Sequence, residues 1–314
     1  MSEFDLIRRH FTRSTPSALL GVGDDAALLK VSEGNVMAVS CDMLVSGTHF
    51  FPDADPFMLG HKTLAVNLSD MAAMGATPRW VTLALALPEE NEVWLEQFSA
   101  GFFVLAQQYG VELVGGDTTR GSLNLCVTIF GEVPAQQALR RNGAQIGDEI
   151  WVSGTLGDAA LALAHQQGRI ELTADELAKC SPALHQPQPR IALGLALRGI
   201  ASSAIDVSDG LLGDLGHILD ATEVGAKIEF NLLPASNALR RVESFQRYVL
   251  SGGDDYELCF TASVNRHAEL LDVSEQLDLP LACVGKIVEE RGCVVQDAVG
   301  NLIEIEASSY DHFR

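Results

Sequence analysis

In the stretch Ile205–Leu212, IDVSDGLL, two aspartates flank a serine just before an apolar run. Carboxylates packed this closely raise one another's pKa unless positive charge joins them. The chemistry that suits them is capture of a hard cation. Carboxylate and hydroxyl oxygens are good magnesium ligands, and magnesium so held keeps coordination positions open for phosphate oxygens. The pattern recurs in GVGDDAA (Asp24, Asp25), SCD (Asp42), NLSD (Asp70), GGDTTR (Asp117) and GGDDYEL (Asp254, Asp255). Glycine or serine adjoins most of these acids, and glycine lets a backbone approach a ligand closely. One aspartate beside glycine is ordinary turn chemistry. The repetition leads to the expectation that acids far apart in the chain converge on one site that traps divalent ions.

Each cluster also has a plainer reading. Ser208 could be a helix N-cap with Asp209 a first-turn acid favoured by the helix dipole, although that leaves Asp206 unexplained. GVGDDAALL could be a tight turn between two strands, and GGDTTR and GGDDYEL could be hairpin or bulge glycines with turn acids. Thr63, Asn67 and Asp70 fall at i, i+4 and i+7, a polar stripe on one helix face. His49 in SGTHF reads as a packed, hydrogen-bonded residue or as a ligand-contacting one. Arg140 and Arg141 form a solvated pair or a phosphate clamp. No G-x-x-x-x-G-K-[ST] loop and no protein-kinase motif set is present, so any ATP phosphates would depend heavily on metal for charge.

The elements that must position these residues alternate between strand and helix. Val36–Met43 reads as a strand ending in acid. Pro56–Ala76 reads as a helix with Leu64, Leu68 and Met71 on its apolar face. Arg79–Pro88 is a strand stopped by proline, and Asn91–Gly110 a helix closed by glycine. VELVGG and LNLCVTIFGEV are two further strands. The pattern loosens over Pro134–Asp148, which puts a domain boundary there, with domains at 1–137 and 138–314. The second half opens EIWVSGTLGDAALALAHQQG, a strand, a glycine turn and a helix. It continues with a helix at Pro189–Arg198, a short strand SSAID and a helix from Leu211 whose core positions are Leu211, Leu215, Ile218 and Leu219. YELCFTA and LACVGKI are strands with a helix between them. Both halves mix α and β.

The chain of 314 residues is long enough for two cores, and 47% hydrophobic with 20% charged residues is a globular composition. A net charge of −21 argues against nucleic acid or an anionic membrane as partner. No secretory or membrane-spanning segment is visible. The six cysteines are scattered without a C-x-x-C pair, as expected for reduced thiols in a cytoplasmic protein.

The ordered series GVGDDAA, SCDMLVSGTHF, NLSDMAAMGATP, GGDTTR, DVSDGL, SGGDDYELCF and YDHF resembles the bacterial thiamine-monophosphate kinase family from Gly21 to Phe313. That resemblance implies a two-domain fold like aminoimidazole-ribonucleotide synthetase, with an N-terminal α/β domain forming a homodimer and an α+β C-terminal domain. It implies ATP-dependent phosphorylation of thiamine monophosphate to thiamine diphosphate by direct in-line transfer, with several Mg²⁺ ions. Carried onto this chain, the metal ligands are Asp25, Ser40, Cys41 through its carbonyl, Asp42, Asp70, Asp117, Asp206 and Asp209. Gly116, Asp117, Arg141 and Ser208 match nucleotide contacts, while His49, Asp254 and Tyr310 match the substrate site. Asp42, Asp117, Asp209 and Arg141 form the expected catalytic set. The chain departs from the family at Cys41, where threonine is frequent, and at Asp254, where glutamate is frequent and one methylene longer. Other readings stay open: another ATP-dependent synthetase of the superfamily, a two-metal phosphatase, or a cation-binding module without turnover.

Overall fold

The computed structural model describes residues 3–305. It divides into two compact units. One unit runs to Met71 and resumes at Ala76–Gln136; the other takes Ala72–Gly75 and the chain from Gln137 onward.

The first unit starts with α1 (Glu3–Leu6), continued as a short π-helical turn, and builds β1 (Asn35–Val45), α2 (Pro56–Ala73), β2 (Thr77–Leu87), α3 (Glu92–Tyr109), β3 (Glu112–Arg120) and β4 (Asn124–Pro134). Its sheet has the order β1-β4-β2-β3, antiparallel except for the β2–β3 pair. Leu64, Leu68 and Met71 of α2 are fully buried, as their helical spacing predicts, together with Trp80, Phe98 and Phe102. Asn91 caps α3 by accepting the Trp94 N–H, and Gly110 closes it in the left-handed conformation. GGDTTR is not a turn. It lies inside β3, where the register against β2 shifts next to Gly115.

The second unit contains β5 (Glu149–Ser153), α4 (Asp158–Gln166), α5 (Ala174–His185), α6 (Ile191–Ala196), β6 (Ser203–Val207), α7 (Leu211–Thr222), β7 (Gly225–Glu229), α8 (Phe245–Ser251), β8 (Glu257–Ala262), α9 (His267–Leu277), β9 (Leu281–Val288) and β10 (Gly292–Gln296). Its six strands run in the order β10-β7-β9-β5-β8-β6. The core joins α4, α7 and α8 to the sheet, with Leu211, Leu215, Ile218 and Leu219 all buried. In this unit four elements went unread in the sequence: α5, β7, α8 and β10. Helix α5 carries an internal proline, Pro182, and the strands are only five residues each, so no long period announces them. No described helix is long and apolar enough to cross a membrane.

Helices α2 and α3 touch through glycine. A Cβ at Gly60 would sit 2.0 Å from the Phe98 carbonyl oxygen, and one at Gly101 would sit 1.9 Å from that of Phe57. Backbone this close leaves no room for a methyl group, so the helices must separate to admit one. Gly101→Ala is expected to destabilise the protein by about 1–3 kcal/mol, read as a lower denaturant midpoint in chemical unfolding.

Candidate active site

The sequence-identified acids fall into groups within each unit. In the first unit the polar stripe of α2 faces β1. Ser40 donates its hydroxyl to Asp70 Oδ2 at 2.5 Å, and the Asp42 N–H donates to Asn67 Oδ1 at 3.3 Å. Asn67 Nδ2 in turn donates to the Thr63 carbonyl, and the Thr63 hydroxyl to that of Leu59. Ser40 and Asp42 are two residues apart, so they share a strand face. The result is a seam in which Ser40, Asp42, Asn67 and Asp70 meet between a strand and a helix. Cys41 points the other way: it is exposed, and its Sγ lies 3.4 Å from Cys126 Sγ. Its thiol is therefore not part of the seam.

Asp117 is exposed on β3, the opposite edge strand from β1. Asp42, Val127, Leu83 and Gly116 form one row across the sheet. Three strand spacings put the backbones of Asp42 and Gly116 roughly 14 Å apart. Asp25 is exposed in the loop closed by the Leu20–Leu28 bridge, where its N–H donates to Asp24 Oδ1. His49 is half-buried, and its Nδ1 accepts the Val45 N–H at 3.0 Å, so the proton of the neutral ring sits on Nε2.

In the second unit two loops are sewn together. Asp206 is buried at the end of β6, and the chain after it turns through Ser208, Asp209 and Gly210. The N-cap reading of Ser208 does not hold. Helix α7 starts at Leu211, and its N-cap is Gly210, which makes no side-chain cap and has φ 115°. A Cβ on Gly210 would lie 2.7 Å from the Ser251 carbonyl carbon. The Asp254 N–H donates to the Ser208 carbonyl and the Tyr256 N–H to the Val207 carbonyl, each at 2.8 Å. Asp254 and Tyr256 both adopt positive φ, 68° and 50°, a conformation side chains seldom take without compensation. The Tyr256 hydroxyl donates to Asp254 Oδ1 at 3.0 Å. Asp206, Ser208, Asp209 and Asp254 thus gather at one end of β6. Arg141 is exposed near the other end, beside Arg140, whose carbonyl accepts the Ala204 N–H. Tyr310 lies outside the described residues.

Three further acids support this end of the sheet: Asp214 and Glu257, which the sequence reading gave no role, and Asp255, which it grouped with Asp254 among the cation-capturing acids. Asp214 Oδ2 accepts the N–H groups of Ser208, Asp209 and Gly210. Burial and the nearby Asp209 charge push the Asp214 carboxyl up to about 7, against the pull of those donors. Asp255 accepts the Gly157 N–H with both oxygens, at 3.0 and 2.8 Å. Full burial, with Glu257, Asp158 and Asp254 nearby, holds it well above the usual carboxylate range. Glu257 is paired with Arg190, whose Nε lies 2.7 Å from it, and also accepts the Ser153 hydroxyl. An acid five or six residues after an acidic turn, at the mouth of a helix, was the available signal for Asp214.

The donor chemistry fits magnesium. Every carboxylate and hydroxyl donor in these groups is a hard oxygen. Among the described residues no three His, Cys, Asp or Glu side chains meet at one point. Magnesium is commonly held by one or two carboxylates, with water and substrate phosphates completing an octahedron.

Comparison with known proteins agrees with this frame. The AIR synthase related protein N-terminal domain matches residues 23–133, and the corresponding C-terminal domain matches residues 145–298. The chain therefore has the two-domain α/β and α+β architecture of that superfamily. Thiamine-monophosphate kinase of Escherichia coli K12 is 50% identical over 99% of this chain and 98% of its own. The crystal structure of thiamine-monophosphate kinase from Stenotrophomonas maltophilia K279a is also 50% identical, with a TM-score of 0.87 over 94% of this chain and 96% of that one. A structure of AaThiL complexed with AMPPCP and TMP superposes with a TM-score of 0.78 at 28% identity, covering 99% and 96%. The chain belongs to the thiamine-monophosphate kinase family.

Because the folded state binds the Asp255 proton more tightly than the unfolded chain does, that contribution to stability is complete below the unfolded value of about 4. It is lost as pH rises through the raised folded value. Asp255→Asn has no such proton to lose. In denaturant titrations from pH 5 to pH 8, wild type is expected to lose stability relative to the asparagine variant.

Proposed function

We propose that this chain transfers the terminal phosphoryl group of ATP to thiamine monophosphate, forming thiamine diphosphate. The observation that carries the reading is the seam of Ser40, Asp42, Asn67 and Asp70, a hard-oxygen site built into a strand–helix junction in a chain 50% identical to enzymes of that name. The substrate phosphate is already an anionic nucleophile, so no strong general base is needed. The barrier is repulsion between that anion and the ATP phosphates, and catalysis is mainly charge compensation and alignment. Bound magnesium supplies the positive charge that lowers this repulsion and stabilises the transferring group.

Asp25, Ser40, Asp42, Asp70, Asp117, Asp206 and Asp209 hold the ions through side-chain oxygens, and Cys41 through its carbonyl. As an edge strand, β1 has outward backbone groups without a ladder partner, so a carbonyl ligand there costs no sheet bond. Gly116, Asp117 and Ser208 contact the nucleotide, and Arg141 pairs with phosphate as a guanidinium fork. His49 offers Nε2–H to the substrate. Asp254, which accepts the Tyr256 hydroxyl, is a substrate contact of this reading, as is Tyr310, whose ring type suits stacking on thiamine.

The same reading includes a homodimer. On β1, Val39 and Met43 are 56% and 52% exposed, and exposed Cys41 lies between them with Cys126 and Thr128 alongside. This strip is uncharged in a protein of net charge −21, so it is where two like-charged copies meet with least repulsion. The occupant is a second copy of the chain. Met43→Glu is expected to convert the dimer to monomer in light scattering after gel filtration; a dimer of unchanged strength contradicts this face.

A coupled assay for thiamine diphosphate tests the activity. Wild type is expected to turn over with ATP, thiamine monophosphate and Mg²⁺, and to stop when the metal is chelated. Asp42→Ala is expected to lose at least about 100-fold in kcat/KM, a few kcal/mol of transition-state stabilisation, with an unchanged circular dichroism spectrum. Wild-type turnover in that variant contradicts the assignment. Phosphate release without transfer favours a phosphatase instead.

A further inference from the structure

We propose that Asp214 is the positioning residue for the turn Asp206–Gly210, fixing where Ser208 and Asp209 present oxygen to magnesium-bound nucleotide. The inference rests on the function proposed above. Its structural basis is specific. A single oxygen, Asp214 Oδ2, accepts three successive backbone N–H groups: Ser208 at 3.0 Å, Asp209 at 3.0 Å and Gly210 at 3.1 Å. Asp214 is only 3% exposed, so water does not stand in for those donors if the carboxylate is removed. The Asp214 N–H donates back to the Gly210 carbonyl, which fixes the Asp214 backbone in the first turn of α7.

The turn is held from its other side as well. The Val207 and Ser208 carbonyls accept the N–H groups of Tyr256 and Asp254. With its N–H groups committed inward to Asp214 and these carbonyls committed to the neighbouring loop, the backbone has little freedom left. What remains to meet a ligand is the side chains of Ser208 and Asp209, both half-buried. Capping alone does not account for this arrangement. A helix cap satisfies N–H groups inside the first turn, whereas Asp214 reaches back from inside the helix to groups at and before Gly210. Placing a third carboxylate near Asp206 and Asp209 works against the fold electrostatically. The geometry it imposes offsets that cost.

Asparagine keeps the size of Asp214 but offers a neutral oxygen that binds the three donors less strongly. Two measurements on the full-length protein test the role. In Asp214→Asn, amide hydrogen exchange of Ser208–Gly210 is expected to accelerate while the β5 and β8 amides stay protected. The Mg²⁺ concentration needed for half-maximal binding of a non-hydrolysable ATP analogue, read by calorimetry, is expected to rise about tenfold, the usual scale for losing a residue that orients metal ligands. Leu215→Ala, which loosens the same helix through its core, is the comparison: lower stability with an unshifted Mg²⁺ requirement. Unchanged exchange at Ser208–Gly210, an unshifted Mg²⁺ requirement in Asp214→Asn, or an equal shift in Leu215→Ala each overturns the positioning role. Failure of wild type to bind the magnesium–nucleotide analogue at all overturns the proposed function, and this inference with it.

Discussion

Like charges held near one another by rigid backbone are the constraint around which this protein is built. Asp42 and Asp70 belong to one strand–helix seam, bonded to Asn67 and Ser40 respectively, and Asp206 and Asp209 flank a tight turn whose Ser208–Gly210 N–H groups are all taken by Asp214. Flexible acids would swing apart into solvent and relieve their repulsion. These are attached to a strand, a helix and a pinned turn, and in the function proposed above bound cations supply the relief. That property suits a chain that brings two anionic phosphates together, since charge that the protein lacks is supplied with the ligand.

The supporting structure follows from that constraint. In the first unit, close helix packing at Gly60 and Gly101 brings α2 and α3 together, and Asn67 and Asp70 of the α2 polar stripe meet Asp42 and Ser40 on β1. In the second, further carboxylates act as backbone acceptors. Asp214 gathers three N–H groups, and Asp255 takes that of Gly157. Glu257 is compensated differently, by Arg190 and Ser153. The acid-rich composition therefore divides into carboxylates that hold the loops and carboxylates those loops present.

Much of this was legible because chemistry and period coincide in the sequence. Leu64, Leu68 and Met71 announced α2, and the polar stripe on the same helix announced the seam. Acids beside glycine and serine marked the loops in order, which carried the family resemblance. Local ambiguity explains the rest. GGDTTR looks like a turn because glycine and aspartate favour turns, yet it continues β3 past a register shift. Ser208 looks like a helix cap, but the helix starts later because Gly210 takes a positive φ that fits against Ser251. Asp214 takes its donors from four to six residues before it, whereas Asp255 takes the Gly157 N–H from 98 residues away, which no local spacing encodes. Strands β7 and β10 are too short to show a period.

The central claim, that fixed acids are completed by divalent ions, is tested most directly without any substrate. The unfolding midpoint is measured against MgCl₂, with NaCl at matched ionic strength as reference, for wild type and for Asp42→Asn combined with Asp209→Asn. The account predicts that Mg²⁺ raises the wild-type midpoint well beyond the sodium reference, by up to about 2.7 kcal/mol per site at 100 times its Kd, and that the double variant loses most of this gain. A magnesium effect no larger than that of sodium, or one retained in full by the double variant, would contradict it.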